Sequence, residues 1–320
     1  MTGPSDPPPF GRATLTGLTG DPRQFASVRG ICLDDGAERG TRALAFSTGG
    51  GLDFWALSDR TLDIGPLWFR GLPLAWQHPA GYVSPAHHGG PGADGTGIER
   101  ALSGFLVTCG LENVRQPAGG APLHGSLPLT PARIIARGED WSGGVPMLFA
   151  EGIAEQAHLG GPSFRLTRRI EAPIGGQALT LRDRIENIGP DPAEMRVLYH
   201  FNFGFPVVGP NSFATIGATR IAPATVPTIC CLPVAGDRFR ATVERPTLGA
   251  APGLRIAFDG ATDSLPFVQV WQDPRPRRNI LAIEPANCDR RADGTSGRGP
   301  VLAPGETRHT EMTITFSETS

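Results

Sequence analysis

The hydrophobic side chains of this chain occur in short runs, many of which alternate with polar residues. Such alternation is typical of half-buried β-strands, because successive side chains of a strand point to opposite faces. No stretch keeps a helical period of about 3.6 residues over about 12 residues, so helices should be few and short. Gly-Gly, Asp-Gly and other turn-forming pairs separate the runs. Strands are predicted at Arg42–Ser47, Leu52–Ser58, Pro66–Phe69, Pro73–Trp76, Arg133–Ala136, Met147–Ile153, Ser163–Glu171, Ala178–Asn187, Ala193–Phe203, Leu254–Phe258, Pro266–Trp271, Ile280–Glu284 and Thr307–Phe316.

The composition agrees with a fold rich in turns. The 320 residues include 43 glycines and 32 prolines, too many for a protein built mainly of long helices. We therefore predict an all-β protein, one large antiparallel β-sandwich with few short helices, spanning residues 11–320 as a single domain. Residues 1–10 are predicted to be a disordered, proline-rich tail. Two long segments rich in Gly, Pro and His, Pro79–Glu99 and Arg115–Thr130, are expected to be functional loops.

Charge and cysteine content narrow the range of partners. The 29 basic and 31 acidic residues leave a net charge of −2, which argues against nucleic acid or an anionic membrane as partner. All the basic residues are arginine, which excludes lysine Schiff-base chemistry and a Walker-type phosphate loop. Neither a membrane span nor a signal peptide is evident. Five cysteines without C-x-x-C spacing argue against a disulfide framework, and we expect a cytoplasmic protein.

The segment Arg196–Pro206 carries the first candidate for chemistry. Alternation places Val197, Tyr199, Phe201, Phe203 and Phe205 on one bulky apolar face. Leu198, His200, Asn202 and Gly204 point the other way. That second face has the character of a ligand-facing sheet surface, although a solvated outer face with an incidental histidine would give the same pattern.

A carboxylate closes the apolar strand Ile280–Glu284, directly before Pro285. Burial of Glu284 without a partner would be costly, whereas a binding cleft would raise its pKa toward that of a useful general base. An exposed position at the end of the strand is the simpler alternative.

Two further residues are candidates on local grounds. Arg60 shares a predicted strand face with Ser58 and Leu62, where it could bind ligand hydroxyl groups or pair with a neighbouring aspartate. His124 lies in a tight Gly/Pro loop, and loops held on a rigid sheet often carry catalytic side chains.

The pair His87-His88 invites a metal hypothesis that the spacing does not support. Adjacent histidines point apart in extended structure, and no third histidine lies at a ligand-like spacing. We therefore predict no metal site.

Five motifs in this order resemble the aldose 1-epimerase (galactose mutarotase) superfamily, in particular a divergent bacterial branch. The resemblance extends from about residue 20 to residue 316. The motifs are Asp59–Gly65, Val107–Asn113, Leu123–Gly125, Leu198–Pro206 and Ile283–Cys288, the last of them before Leu302–Glu306.

The resemblance implies a galactose mutarotase-like supersandwich whose concave sheet holds a small-molecule sugar. It also implies a general base at Glu284, a general acid at His200, a second active-site histidine at His124 and a substrate-binding arginine at Arg60. The implied reaction is anomer interconversion by ring opening and closure, which is pure proton transfer and needs no cofactor.

The resemblance assigns the substrate-binding residues less completely than it assigns the general acid and the general base. The family's Asn-His-Ser/Thr-Tyr-Phe-Asn motif appears here only as Tyr-His-Phe-Asn, which keeps Asn202 as a substrate-binding candidate. The family's substrate-binding aspartate has no assigned position, and Gln272 or Asp273 are candidates for that role. Trp271 shares a strand face with Gln269 and could stack on a sugar ring or lie in the core.

Two other functions remain open at this level. The same fold could serve a non-catalytic sugar-binding module, which would not need Glu284 and two histidines to converge. A lyase or hydrolase acting on a related sugar is the other alternative, and glycoside hydrolysis would require a second carboxylate opposite Glu284. The sequence decides neither the sugar nor whether the protein is an oligomer.

Overall fold

A computed structural model describes residues 11–87, 98, 102–249 and 251–319. The described chain consists mainly of antiparallel strands in four sheets, which confirms the predicted all-β class. The helical elements with described bounds are short: α1 (Arg12–Leu18) and the 3₁₀ turns Pro22–Gln24, Gly36–Glu38, Pro85–His87 and Leu127–Leu129. The predicted tail at residues 1–10 lies outside the described residues. No helix in the described segments is long and apolar enough to cross a membrane.

The N-terminal sheet is a simple meander of five strands in chain order. Its strands are β1 (Ser27–Cys32), β2 (Arg42–Ser47), β3 (Leu52–Leu57), β4 (Asp63–Phe69) and β5 (Leu72–Pro73).

The largest sheet has nine strands, most of which alternate between buried and exposed side chains as a half-buried sheet requires. Its order is β14-β13-β16-β17-β21-β10-β9-β8-β7. The strands are β7 (Arg133–Asp140), β8 (Met147–Gln156), β9 (Phe164–Pro173), β10 (Ala178–Asn187), β13 (Phe213–Ile216), β14 (Thr219–Ile221), β16 (Arg238–Arg245), β17 (Gly253–Ala261) and β21 (Thr307–Thr319).

A second five-stranded sheet, here called the site sheet, has the order β15-β18-β19-β12-β6. It consists of β6 (Leu106–Leu111), β12 (Arg196–Phe203), β15 (Thr228–Pro233), β18 (Phe267–Asp273) and β19 (Ile280–Ala286). A two-stranded ladder of β11 (Ala193–Glu194) and β20 (Val301–Leu302) completes the structure. Every residue of β6 is buried, so the strand lacks the alternation that would have predicted it.

The site sheet packs one face against the nine-stranded sheet. The rings of Phe201 and Phe258 lie 4.9 Å apart between centroids, and the Tyr199 hydroxyl donates to Asp183 at 2.8 Å. Tyr199, Phe201 and Phe203 therefore form the apolar face that alternation predicts. The prediction is wrong for Phe205, which is 69% exposed because the strand already ends at Phe203.

Candidate active site

The opposite face of the site sheet forms the floor of a cavity of about 340 Å³. Three neighbouring strands supply its polar floor: β12 carries His200, β19 carries Glu284, and β18 carries Gln269 and Trp271. The cavity is lined by Ile98, Leu102, Arg115, Gln116, Leu123, His124, His200, Ile229, Gln269, Trp271, Arg278, Glu284, Arg290 and Gly294. The three residues predicted as catalytic therefore share one cavity.

Strand register brings His200 and Glu284 together. Phe201 of β12 pairs with Ile283 of β19, so the preceding residue of one strand faces the following residue of the other. His200 Nε2 lies 3.5 Å from Glu284 Oε1. Glu284 is completely buried, and β19 continues beyond it to Ala286, so this carboxyl group does not occupy an exposed strand end.

The Glu284 carboxyl group has one hydrogen-bond donor and one oxygen without a partner. Gln269 Nε2 donates to Oε2 at 2.5 Å, while Oε1 has no hydrogen-bond partner among the described residues. Burial raises the pKa of Glu284 to about 8, although the charge of Arg115 and the Gln269 hydrogen bond act in the opposite direction. A neutral carboxyl group at neutral pH is the consequence.

Burial has the reverse effect on the two histidines. It lowers the pKa of His200 to about 4, against an opposing contribution from the side chain of Asn202. It lowers the pKa of His124 to about 3, with His200 adding to the effect. The two rings meet edge to face with centroids 5.6 Å apart. Both imidazoles are therefore neutral at neutral pH.

The tautomer of His124 follows from its hydrogen bond to the backbone. Its Nδ1 lies 2.7 Å from the carbonyl oxygen of Val114, which can only accept, so Nδ1 carries the proton. In the neutral ring Nε2 is consequently the nitrogen with a free lone pair.

The loop that carries His124 is held by its own side chains and by a glycine. Asn113 donates its amide to three loop carbonyls. Gly125 adopts a φ of 73°, and a Cβ atom there would lie 2.3 Å from the carbonyl oxygen of Gly110. The motif Leu123–Gly125 therefore has a structural reason for its glycine, which positions the neighbouring histidine.

Arg115 is a functional candidate that the sequence did not reveal. It is 3% exposed and donates Nε to Gln269 Oε1 at 2.9 Å, which turns the Gln269 amide toward Glu284. Its other nitrogens donate to the backbone carbonyls of Cys288 and Asp289. Arg115 thus orients the Gln269 amide that donates to Glu284. It forms no ion pair with Glu284 itself.

Trp271 lies on the cavity wall, on the same strand face as Gln269. Its indole contacts the His200 imidazole edge to face at 5.7 Å between centroids, and the residue is half-buried. The ring is therefore placed beside His200 rather than in the core between the sheets.

Two predicted substrate contacts lie outside the cavity. Asn202 is completely buried, donates its amide to the carbonyls of Gly104 and Leu102, and does not line the cavity. Gln272 lies on the opposite strand face from Trp271, in a second cavity, where it bonds the backbone of Ala222 and Ala224. Neither residue lines the cavity, contrary to the prediction.

Arg60, implied to be a substrate-binding arginine, also does not line the cavity. The segment is a turn between β3 and β4, in which Thr61 and Leu62 have φ values of 54° and 56°, so strand alternation does not apply. The side chain of Arg60 points into the protein, is completely buried, and donates to the carbonyl of Ser103 at 2.9 Å.

The rest of the motif Asp59–Gly65 is likewise structural. Asp59 accepts hydrogen bonds from Arg42. Asp63 and Asp183 both form buried ion pairs at 2.7 Å with Arg168, which joins the first sheet to the nine-stranded sheet. Burial of these three charged side chains is tolerated because both aspartates pair with the Arg168 guanidinium group.

The remaining candidates do not assemble into a metal site or a substrate-binding aspartate. Within the described ranges no three His, Cys, Asp or Glu side chains form a group able to hold a metal ion. His87 is exposed, and His88 lies outside the described residues. Asp273 is buried in ion pairs with Arg275 and Arg278 and does not line the cavity.

Comparison with known proteins identifies a family. The sequence model of a domain of unknown function (DUF4432) matches residues 38–228, more than half of the chain. His124 and His200 lie within the matched segment, and Glu284 lies beyond it. No protein of curated function shows significant similarity to the chain.

Solved structures identify the fold. A Klebsiella pneumoniae protein proposed to be an aldose 1-epimerase superimposes with a TM-score of 0.76 at 17% identity, covering 90% of this chain and 83% of that one. A similarly described Escherichia coli K12 protein gives 0.58 at 14% identity, with 84% and 97% covered. Galactose 1-epimerase from Lactobacillus acidophilus gives 0.54 at 8% identity, with 92% and 99% covered. The chain is thus a member of the DUF4432 family with a galactose mutarotase-like β-sandwich fold.

Proposed function

We propose that this protein is an aldose 1-epimerase-type isomerase, which interconverts the anomers of a sugar. The observation that carries the proposal is the position of Glu284 and His200, 3.5 Å apart on the floor of one cavity. His124 also lines this cavity, with its ring centroid 5.6 Å from that of His200. The shared fold with galactose 1-epimerase supports the same assignment.

The reaction needs one group that takes a proton and one that gives a proton. The base removes the proton of the anomeric hydroxyl group while the acid protonates the ring oxygen, and the C1–O bond to the ring breaks. The resulting aldehyde rotates about the bond between C1 and C2. Reclosure then reverses the two roles and yields the other anomer, with no change in oxidation state and no covalent adduct.

The Glu284–His200 pair holds the single proton that this cycle needs. In the free protein the proton is on Glu284, whose pKa is raised to about 8, and His200 is neutral with a pKa of about 4. A carboxylate at Glu284 with an imidazolium at His200 contains the same one proton. The pair is therefore competent throughout the range between the two pKa values.

Glycoside hydrolysis receives less support from this cavity. It would normally use two carboxyl groups on either side of the scissile bond. Glu284 is the single carboxyl group among the described residues that line the cavity. A non-catalytic sugar-binding module, in turn, would have no use for a buried acid–base pair.

Anomer exchange observed by NMR across a panel of aldoses and sugar acids tests the proposal. We expect exchange catalysed by the protein to fall by about 10²- to 10⁴-fold in Glu284→Gln and in His200→Asn. Glu155→Gln is the matched control, because Glu155 is an exposed residue of the nine-stranded sheet. Sugar binding without exchange in the unmodified protein would favour the binding module, and full activity of Glu284→Gln would reject the acid–base assignment.

A further inference from the structure

The cavity is lined by three guanidinium groups, two of which have no ion-pair partner among the described residues. Arg115, Arg278 and Arg290 line it, and of these Arg278 alone forms an ion pair with a described residue, Asp273, at 3.2 Å. Arg115 is 3% exposed, Arg290 is half-buried and Arg278 is exposed. Buried charges are normally paired, because an uncompensated charge loses its hydration without gaining a partner, and Arg115 departs from this rule.

Little negative charge offsets these guanidinium groups among the described residues that line the cavity. Glu284 is the one carboxyl group among the described lining residues, and its burial keeps it largely uncharged at neutral pH. The two histidines, His124 and His200, are neutral at that pH as well. The cavity is consequently electropositive although the whole chain has a net charge of −2.

We propose that the sugar converted in this cavity carries an oxyanion group, a carboxylate or a phosphate, and that Arg290 binds this group. The inference rests on the proposed function for its sugar ring, and on the uncompensated guanidinium groups for its charge. A neutral sugar would leave Arg115 and Arg290 without an opposite charge.

Hydrogen bonding singles out Arg290 as the ligand contact. Arg115 uses its nitrogens on Gln269 and on the backbone of Cys288 and Asp289, so it contributes charge without a free donor. Arg290 makes one side-chain hydrogen bond to the described protein, from Nη1 to the Arg291 carbonyl at 3.1 Å. The rest of its planar fork can bind two oxygens of an oxyanion side by side.

The surroundings of Arg290 hold its guanidinium group at one end of the cavity. A Cβ atom on Gly294 would lie 2.8 Å from Nη2 of Arg290 and 3.0 Å from Cγ of Gln116, so the glycine allows this close packing. Arg290 follows β19 and Arg278 precedes it, which places them at opposite ends of the strand that carries Glu284. An oxyanion at Arg290 would leave the sugar ring beside the carboxyl group.

The test compares Arg290→Gln with Arg291→Gln, an exposed arginine next in sequence that does not line this cavity. Binding and anomer exchange are measured with a hexuronate, a hexose 6-phosphate and the corresponding neutral hexose. We expect the unmodified protein to prefer one of the two acidic sugars, and Arg290→Gln to lose about ten- to hundredfold in kcat/KM for it alone. The preference between carboxylate and phosphate distinguishes the two sources of charge.

Failure of this inference is separable from failure of the proposed function. Exchange of the neutral hexose at least as fast as both acidic sugars, or equal losses on all three in Arg290→Gln, would overturn the inference and leave the isomerase intact. Binding of an acidic sugar that Arg290→Gln abolishes, without any anomer exchange, would sustain the inference and reject the isomerase.

Discussion

Nε2 of His200 and Oε1 of Glu284 lie 3.5 Å apart, and both side chains are withdrawn from solvent. The separation exceeds a normal hydrogen bond, and Oε1 has no partner among the described residues. The carboxyl oxygen nearest to the imidazole is therefore free to contact a ligand in the cavity.

The pH dependence of anomer exchange should be bell-shaped. Below about pH 4 both His200 and Glu284 are protonated and no base remains, and above about pH 8 both are deprotonated and no acid remains. We expect kcat/KM to show a plateau between these limbs. Glu155→Gln should retain both limbs, and a rate that continues to rise through pH 8 would contradict the single-proton pair.

Replacement of the residue that hydrogen-bonds Glu284 should move the alkaline limb. The Gln269 amide stabilises the carboxylate, so Gln269→Leu should raise the pKa of Glu284 and shift the limb to higher pH. Gln272→Leu is the matched control, because that residue lies on the same strand but faces the second cavity. A downward shift, or equal shifts in both variants, would show that Gln269 does not position the carboxyl group.

Truncation of Trp271 should weaken sugar binding by about tenfold with little change in melting temperature, since the indole is half-buried on the cavity wall. Phe201→Ala provides the contrast, because that ring is completely buried between the sheets and its loss should cost about 3–5 kcal/mol. Calorimetry and ligand titration measure both quantities. A large loss of stability with unaltered affinity would assign Trp271 to the core.

The buried carboxyl group should also make stability depend on pH. The folded pKa of Glu284, about 8, exceeds the ordinary value of 4.5, so the folded state holds its proton more tightly than the unfolded state. The melting temperature of the unmodified protein should consequently fall relative to Glu284→Gln as the pH rises toward 8, and the difference should level off above that pH. A constant difference across this range would be inconsistent with a buried neutral carboxyl group.

Chelation should leave anomer exchange unchanged, because the proposed cycle consists of proton transfers between the sugar and the protein. Exchange is measured by NMR before and after treatment with a chelator. Loss of exchange that a divalent cation restores would require a metal-dependent mechanism.

The alternation of side chains along the sequence was sufficient to predict which residues of the site-sheet strands share a face. The period of two side chains is a property of each strand alone, so alternation correctly separates His200 from Tyr199 and Phe201, and groups Trp271 with Gln269. It fails where the backbone leaves the strand, as at Arg60, whose turn includes residues with positive φ. It also fails for the strand Leu106–Leu111, which is buried on both faces.

The sequence by itself determined an all-β sandwich, and resemblance of its motifs singled out Glu284, His200 and His124. Only the tertiary structure added Arg115, Gln269 and Arg290 to the site, because their proximity depends on contacts between segments far apart in the chain. It likewise moved Arg60, Asn202 and Gln272 away from the cavity wall. Side-chain direction along a strand is a local property of the backbone, whereas the depth of burial and the choice of hydrogen-bond partner depend on which strands become neighbours.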